Sequence, residues 1–535
     1  MKHTIKLLLG IALAALAAVS CKDALYPECQ TSPTTSYLFT SAEGLQKAAV
    51  GLYALDRALV NSNEGALFCV IMMDFSTDLM VNRTGTSNAL ANLDNVSSAT
   101  SEFGNYWKTY YALSGRANEI IAAARELGLD DPAVARVYGE ACCFRARALF
   151  LLWQRYERLY LDTEPVTVEN AFGRTFRASS TEEILGQIKD DLKEAETYLG
   201  WEMPKNGTNV EYGRVTKAVA KHIRAQVAMW EKDWKTAAAE VDEIFANGTY
   251  HMDESTSKVF SGANLTSPEV LYAFQFSNQP GGGNTIRNGV VMGHQIPLVV
   301  TPSYGRQTGF VWTNEYGGYG WGRVFPNTYL LGLYDQAKDK RYKELFQHEW
   351  YYNDPSNPDT YGKLYSPTGS AYQSSAHPST LKYYDKWTHT DNPQFTSSFK
   401  DLVIYRLAET ALIGAEAYFH MEGGGSANAK KYYNMTWKRA GNAEFTGTLT
   451  LEDILEETAR ECHFEGVRWN QLKRLGILGE RVRLHAQDTQ ADDPRLPADK
   501  IDARRNFRDD RDTRWPIPLS ELEKMPGYGQ SDGWN

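Results

Sequence analysis

The sequence predicts a mainly α-helical protein in which stacked helix pairs form a scaffold that carries a loop-rich ligand-binding region. Three observations lead to this fold class: capped helix starts followed by apolar residues at helical spacing, alanine-rich helix pairs around tight turns, and a middle part rich in glycine and aromatic residues. We expect a single domain over residues 21–535. It would comprise helical repeats at about 40–260, the loop-rich region at about 261–400, and C-terminal helices with a tail at about 401–535.

Residues 1–20 have the features of an export signal. Lys2 and Lys6 precede an apolar run at residues 7–19, which is shorter than the roughly twenty residues that span a bilayer. Small residues then lead directly into Cys21, an arrangement that resembles the cleavage box of bacterial lipoproteins. That resemblance implies cleavage before Cys21 and its lipidation, and multiple acyl chains would give a stable membrane anchor. The alternative is an ordinary secretory signal in which Cys21 is an incidental thiol.

Three helix starts carry capping signals, in which a hydroxyl and a carboxylate each satisfy a free backbone amide. They open at Thr40, Ser180 and Thr450, each followed three positions later by an acidic residue. Behind Ser180, apolar residues at positions 184, 188, 192, 195 and 199 fall on one helical face. These spacings predict amphipathic helices that bury one side.

Several of the predicted helices form pairs around short turns. They cover residues 215–231 with 234–246, residues 402–421 with 427–440, and residues 107–127 with 133–160. Small side chains in the first pair, such as Ala225 and Ala237, would let its helices approach closely. Such pairs look like tetratricopeptide units, which bury their apolar faces by stacking on neighbouring units. A non-repeating helical bundle is the alternative.

Charge and cysteine content argue against some classes of function. The formal net charge of −10 argues against nucleic acid as a partner. No two cysteines have the Cys-x-x-Cys spacing of redox or zinc motifs, so the adjacent Cys142 and Cys143 are expected to be packing residues. Aromatic residues make up 12% of the chain, and many lie in polar, glycine-rich stretches where a core would not need them.

Residues 301–328 combine the two components of a glycan site. Flat aromatic rings cover the apolar C–H face of a sugar, and polar side chains pair with its hydroxyl groups. The aromatic candidates are Tyr304, Trp312, Tyr316, Tyr319 and Trp321, with Arg306, Gln307 and Asn314 as polar neighbours. Exposing so many rings without a ligand would be unfavourable, which indicates a binding role. The alternative for Trp312 and Trp321 is that they pack the loop onto the scaffold. Residues 350–352 are a further aromatic candidate.

No arrangement of residues indicates catalysis, a metal site or a cofactor, and we predict that the protein is not an enzyme. The Gly-x-Ser-x-Gly pattern around Ser531 lies at the chain end, with no following helix and no downstream histidine. His348 begins a zinc-protease-like pattern that lacks the second histidine. Glu461, Glu465 and Arg468 share one helical face, and we interpret them as part of an internal ion-pair network.

Short motifs spread over nearly the whole mature chain resemble, in order, those of the SusD/RagB family of outer-membrane lipoproteins. They lie at residues 107–121, 138–150, 213–217, 320–326, 339–341, 404–417, 461–474, 515–521 and 530–535. Each motif is short, and the resemblance rests on their order together with the lipoprotein-like start. The sequence departs from the family pattern at residues 156–165, which lack an expected glycine, and at residues 434–441, which keep part of an arginine-rich pattern.

The resemblance implies a tetratricopeptide-like fold with a variable ligand-binding region. It also implies a lipid-anchored protein of the cell outer membrane, facing the cell surface, that binds an oligosaccharide and delivers it to a SusC-like, TonB-dependent transporter. By analogy of position, the segment with Asp78, Asn82 and Arg83 is expected to face the ligand. Two alternatives stay open. One is a peptide-binding, RagB-like member, and the other is a surface glycoside hydrolase, which would need two carboxylates about 5–10 Å apart.

Overall fold

The computed structural model of the protein confirms the predicted mainly α-helical architecture. The structure describes residues 38–61, 74, 77–83, 90, 93–167, 169–171, 173–206, 208–283, 285–287, 289–486, 488–498 and 503–534. The predicted export signal and Cys21 lie outside these residues. Within the described part of the chain, no helix combines the length and apolar character needed to cross a membrane.

The N-terminal part of the scaffold is a series of long helices, most of which pack against the next. They are α1 (Ala42–Asp56), α2 (Ser101–Leu127), α3 (Pro132–Tyr156), α4 (Thr181–Tyr198), α5 (Lys217–Glu231) and α6 (Trp234–Asn247). Helix α1 packs on α2 and α3, and contacts then run from α2 to α6 in chain order. The short strands between these helices are β1 (Met80–Asn82), β2 (Lys205–Asn206) and β3 (Asn209–Val210).

Side-chain caps begin the helices where the sequence indicated them, with one shift. Ser180 accepts a hydrogen bond from the Glu183 amide at 3.1 Å, and the Glu183 carboxylate accepts one from the Ser180 amide at 2.8 Å, so the predicted capping box is present. Helix α1 is capped by Ser41 and not by the predicted Thr40. Ser41 has an extended backbone, with φ −150° and ψ 154°, and its hydroxyl accepts a hydrogen bond from the Gly44 amide.

Helices α5 and α6 form the pair that the sequence predicted most clearly. The turn between them places Lys232 in a left-handed conformation, with φ 59°, and Asp233 then caps α6. Ala225 and Ala237 are fully buried, and small side chains at this interface let the two helices lie close together. The pair continues the stack because α6 in turn packs on a C-terminal helix.

Residues 256–380 are built from short elements. The helices are α7 (Thr256–Val259), α8 (Ile296–Val300), α9 (Thr328–Gly332), α10 (Arg341–Glu344) and α11 (Gly369–Ser375). The strands are β4 (Val270–Phe274), β5 (Thr285–Arg287), β6 (Val290–Met292), β7 (Val324–Pro326), β8 (Phe346–Gln347) and β9 (Ser379–Thr380). Pairs β5–β6 and β8–β9 are antiparallel, as is the pair that β7 forms with β1.

The C-terminal part adds one strand and a second group of helices to the scaffold. They are β10 (Leu402–Arg406), α12 (Leu407–Glu422), α13 (Ala427–Trp437), α14 (Leu451–Cys462), α15 (Arg468–Arg474), α16 (Leu478–His485), α17 (Ala503–Asn506) and α18 (Leu519–Leu522). Helix α12 packs on α6, α13 and α14, so it joins the two helical parts of the chain. A Cβ atom at Gly414 would lie 2.8 Å from Val241 Cγ1, which shows how closely α12 approaches α6.

One predicted helix begins later than the sequence indicated. Residues 402–406 were assigned to the helix at 402–421, but they form β10, which pairs antiparallel with β4. Both segments are short runs of β-branched and aromatic residues whose side chains are mostly buried, a composition that favours a strand when a partner strand is present. The partner lies about 130 residues away in the chain, so local periodicity could not reveal it.

Candidate ligand-binding site

Two candidate segments that are distant in the sequence meet at a strand pair. Strand β1 pairs antiparallel with β7, with Asn82 opposite Val324, and the Arg83 amide donates to the Arg323 carbonyl oxygen at 2.8 Å. The Arg83 guanidinium also donates to the Trp321 carbonyl oxygen at 2.9 Å. The segment ending at Arg83 therefore lies beside the C-terminal end of the predicted aromatic stretch, which we call the aromatic loop (residues 304–321).

The aromatic loop is organised around Tyr304. Its ring lies 4.8 Å from that of Trp312, 5.4 Å from that of Tyr316 and 5.2 Å from that of Trp350, measured between ring centroids. The Tyr304 hydroxyl donates to the Thr313 carbonyl oxygen and accepts from the Thr313 amide. Its side chain has no exposed surface.

This placement corrects the expectation that Tyr304 contacts a ligand. A buried ring whose hydroxyl is already bonded to the loop backbone fixes the loop and offers no surface to a sugar. Trp350, from the further aromatic candidate at 350–352, is buried in the same way and donates from Nε1 to the His377 carbonyl oxygen at 3.1 Å. Tyr351, its neighbour in that run, is exposed.

The remaining aromatic candidates keep part of their rings accessible. Trp312, Tyr316, Tyr319 and Trp321 are each half-buried. The Trp312 and Tyr319 rings lie 4.9 Å apart with planes inclined at 45°, so together they form a bent apolar surface. Rings that are supported from behind and open in front are the arrangement that stacks on a sugar face. We call these four side chains the aromatic platform.

A glycine makes this packing possible. A Cβ atom at position 305 would lie 2.3 Å from Cδ2 of the Trp312 ring, a distance that no side chain could accept. Trp312 therefore lies flat across the backbone of Gly305, next to the buried Tyr304. Glycine at position 305 is therefore required for the close packing of Trp312 on the backbone and is not a sign of a flexible loop.

The second candidate segment divides into buried and accessible residues. Asp78 is fully buried, and Arg468 donates to its two carboxylate oxygens at 2.9 and 2.7 Å, so the expectation that Asp78 faces a ligand is wrong. Asn82 is 5% exposed within β1, so the expectation that it faces a ligand is also wrong, because burial leaves its side chain almost no accessible surface. Arg83 is half-buried beside Trp321 and remains a candidate.

The structure adds residues that the sequence did not single out. Arg323 lies with its guanidinium carbon 4.7 Å from the centroid of the Trp321 ring. No sequence pattern indicated this contact, because Gly322 between the two residues has a φ of 56° and the segment is not an extended strand. Trp387 is 41% exposed, on a segment whose Asp385 and His389 line a groove with Tyr319. No sequence pattern separated Trp387 from other loop aromatics.

The paired carboxylates that could have suggested a hydrolase are held inside the protein. Glu461 accepts hydrogen bonds from Arg341, Arg406 and Arg439, at 2.9, 2.7 and 2.6 Å. Glu465 accepts from Arg406 at 2.6 Å and from Lys382 at 2.5 Å. Burial raises the pKa of Glu461, but the three surrounding guanidinium groups outweigh burial and hold that pKa well below its usual range. These contacts confirm the predicted ion-pair network for Glu461 and Glu465. Arg468 instead pairs with Asp78, and because α14 ends at Cys462 the three residues do not share one helical face.

Two other features of the described residues are separate from the aromatic platform. A cavity of about 120 Å³ lies among the scaffold helices, lined by polar groups that include Gln226, Glu409 and Arg474. Its lining shares no residue with the aromatic loop. No group of three or more histidine, cysteine, aspartate or glutamate side chains within the described ranges is arranged to hold a metal ion.

Comparison with known proteins identifies the family. Residues 268–534 match the SusD family, a stretch that contains the aromatic loop, β10 and the C-terminal helices. The chain belongs to the SusD family. A SusD-like protein, P2, of Formosa agariphila is 24% identical over 454 residues, which are 79% of this chain and 80% of that protein.

Solved structures of SusD-like proteins share the fold. A SusD homologue from Bacteroides thetaiotaomicron superposes with a TM-score of 0.75 at 19% identity, covering 94% of this chain and 99% of that one. Surface glycan-binding protein A of the same organism, in complex with laminarihexaose, superposes with a TM-score of 0.71 at 20% identity, covering 91% and 99%. The helical scaffold of this chain is therefore that of SusD-like proteins.

Proposed function

We propose that this protein is a cell-surface glycan-binding lipoprotein that captures oligosaccharides and passes them to a TonB-dependent transporter of the SusC type. The observation that carries the proposal is the aromatic platform, in which Trp312 and Tyr316 pack against the buried Tyr304, Tyr319 packs on Trp312, and Trp321 packs against the scaffold core. Membership in the SusD family supports it, as does the structural relative bound to laminarihexaose.

The platform suits reversible capture of a sugar. Half-buried rings lose little conformational freedom on binding, because the cluster behind them already holds them in place. An open surface without a deep pocket favours affinities in the range of about micromolar to millimolar, or about −8 to −4 kcal/mol. Such affinities suit a protein that must release its cargo to a partner. No step of this function requires a cofactor or a covalent intermediate.

Removal of a platform ring tests the glycan-binding site. We expect Trp312→Ala to weaken binding of the best ligand from a polysaccharide panel by about tenfold, because the sugar loses one stacking surface and Tyr319 loses its neighbour. Trp321→Ala is expected to act in the same direction. Isothermal titration calorimetry or affinity electrophoresis with the purified protein measures both effects.

Tyr212→Ala is the matched control for the platform variants. Tyr212 is a 42% exposed aromatic residue that precedes α5 on the helical scaffold, and its removal is expected to leave affinity unchanged. Equal affinities for the wild type, Trp312→Ala and Trp321→Ala would remove the aromatic platform from the site. Tight binding of peptides together with no binding of any glycan would favour the peptide-binding alternative.

Anchoring and delivery are tested in the producing cell. Cys21→Ser is expected to move the protein out of the membrane fraction, because the lipid attachment site is lost. The wild-type protein, solubilised in mild detergent, is expected to co-purify with a large outer-membrane transporter. Retention of Cys21→Ser in the membrane would contradict the anchor, and isolation of the wild type without any transporter would contradict the delivery partner.

A further inference from the structure

Three arginine side chains surround the aromatic platform, and we call them the arginine triad (Arg83, Arg306 and Arg323). Arg83 bonds to the Trp321 carbonyl oxygen, and Arg323 lies over the Trp321 ring. Arg306 donates to the Tyr319 hydroxyl at 2.8 Å. Burial lowers the pKa of Arg83, and the positive charges of Arg323 and Arg306 lower it further, which indicates that the three cations are close enough to repel one another.

None of the three guanidinium groups is neutralised within the described part of the chain. No described carboxylate oxygen lies within 4.0 Å of them, including that of Glu315 on the same loop. Buried arginines elsewhere behave differently: Arg341 contacts three carboxylates and Arg468 forms a bidentate pair with Asp78. The chain has 66 acidic and 56 basic residues, so carboxylates are not scarce. The triad is a concentration of unneutralised positive charge in an acidic protein.

Such clustering costs free energy unless a ligand supplies the missing negative charge. Three like charges around one platform repel each other, and the half-buried positions of Arg83 and Arg323 weaken screening by water and salt, whereas Arg306 is exposed. An arginine guanidinium has five donors in a planar fork that matches a carboxylate or sulfate group. The hydrogen bonds shown for Arg83 and Arg306 leave most of these donors available.

We infer that the captured oligosaccharide is acidic, carrying carboxylate or sulfate groups, and that the arginine triad pairs with these groups while the aromatic platform stacks on the sugar rings. The inference rests on the proposed glycan-binding function and names its ligand class. The triad would also offset the repulsion between an acidic polymer and a protein of net charge −10, since at physiological salt the repulsion from more distant charges is screened beyond about 8 Å.

The first experiment compares matched pairs of probes. Oligogalacturonate carries only carboxylates, and its methyl ester is neutral; a sulfated galacto-oligosaccharide carries only sulfates, and its desulfated form is neutral. At least one acidic probe is expected to bind about tenfold more tightly than its neutral counterpart. The preferred pair shows whether carboxylate or sulfate is recognised. Raising the salt from about 0.05 M to about 0.5 M is expected to weaken only the acidic member.

The second experiment uses variants of the triad. Arg306→Gln and Arg323→Gln are each expected to weaken binding of the acidic probe by about tenfold and to lower the ratio of acidic to neutral affinity, because only the acidic probe pairs with the guanidinium charge. Arg323→Lys keeps the charge but loses the planar fork, and it is expected to recover only part of the affinity. Arg177→Gln, at an exposed arginine before α4, is the matched control and is expected to change nothing. Melting temperatures confirm that each variant is folded.

The outcomes separate this inference from the function on which it rests. Binding of neutral glycans that depends on Trp312 and exceeds the affinity for every acidic probe would overturn the acidic-ligand inference and leave the proposed function intact. Binding of no glycan, neutral or acidic, would overturn both. If acidic probes bind the wild type, Arg306→Gln and Arg323→Gln equally well, residues outside the arginine triad recognise the negative groups of the ligand. That result also overturns the inference.

Discussion

Replacing Glu461 with glutamine is expected to lower the free energy of unfolding by about 3–5 kcal/mol. Glu461 has no exposed surface and accepts hydrogen bonds from Arg341, Arg406 and Arg439, which come from three separate parts of the chain. Glutamine keeps the size of the side chain but removes its negative charge. Three buried guanidinium groups would then share too few carboxylates, and their desolvation would no longer be compensated.

Urea unfolding followed by circular dichroism measures this loss. The matched control is Glu456→Gln, on the same helix, where a 34% exposed carboxylate lies 3.4 Å from Arg460. Arg460 is buried but keeps its bond to Glu457 in this variant, and a partly exposed carboxylate contributes about 0–1 kcal/mol, so this control is expected to stay close to the wild type. Equal stability of Glu461→Gln and the wild type would show that the network does not hold the three segments together. Hydrolysis of a glycan that is lost in Glu461→Gln would instead support an enzyme.

Replacing Asp78 with alanine is expected to destabilise the protein by about 3–5 kcal/mol and to leave glycan affinity unchanged. Asp78 and Arg468 are both buried and share a bidentate ion pair across nearly 400 residues of sequence. Without Asp78, the Arg468 guanidinium remains buried, and the Leu455 carbonyl oxygen and Gln471 are its only acceptors among the described residues. An uncompensated buried charge is among the most costly defects in a fold.

A double variant distinguishes a broken ion pair from general damage to the fold. Asp78→Ala combined with Arg468→Met is expected to recover most of the lost stability, because replacing both charged groups by apolar ones removes the desolvation penalty. Asp94→Ala, at an exposed aspartate, is the control for loss of a carboxylate and is expected to stay within about 0.5 kcal/mol of the wild type. Retained stability with a tenfold loss of glycan affinity would instead make Asp78 a ligand contact.

The stability losses expected for the Glu461 and Asp78 variants have the same cause: each carboxylate is buried against arginine side chains from distant parts of the chain. The sequence pattern placed Glu461 and Glu465 on one helical face, but α14 ends at Cys462 and Glu465 lies in the turn that follows. Their partners Arg341, Arg406 and Lys382 come from distant segments. Asp78 was expected to contact a ligand because its segment lies where the resembling family has a ligand-facing loop. Its burial follows from the position of Arg468, which only the assembled fold supplies.

Several structural features could be predicted from the sequence because they depend on interactions between residues that are close together in the chain. Capping at Ser180, the apolar stripe behind it, and the α5–α6 pair with its alanines all follow from residues within one or two helical turns. Their agreement with the structure explains why the mainly α-helical class could be predicted. The order of short motifs likewise sufficed to indicate the SusD family.

The tertiary structure decided which aromatic and charged residues are accessible. The composition of the aromatic loop indicated a ligand surface, but burial alone separated Tyr304, which supports the loop, from Trp312 and Tyr319, which keep open faces. Strand pairing between β1 and β7 brought Arg83 next to Arg323, although about 240 residues separate them. Exposure and long-range pairing are set by how the whole chain packs, and for that reason the sequence determined the scaffold while only the fold determined the site.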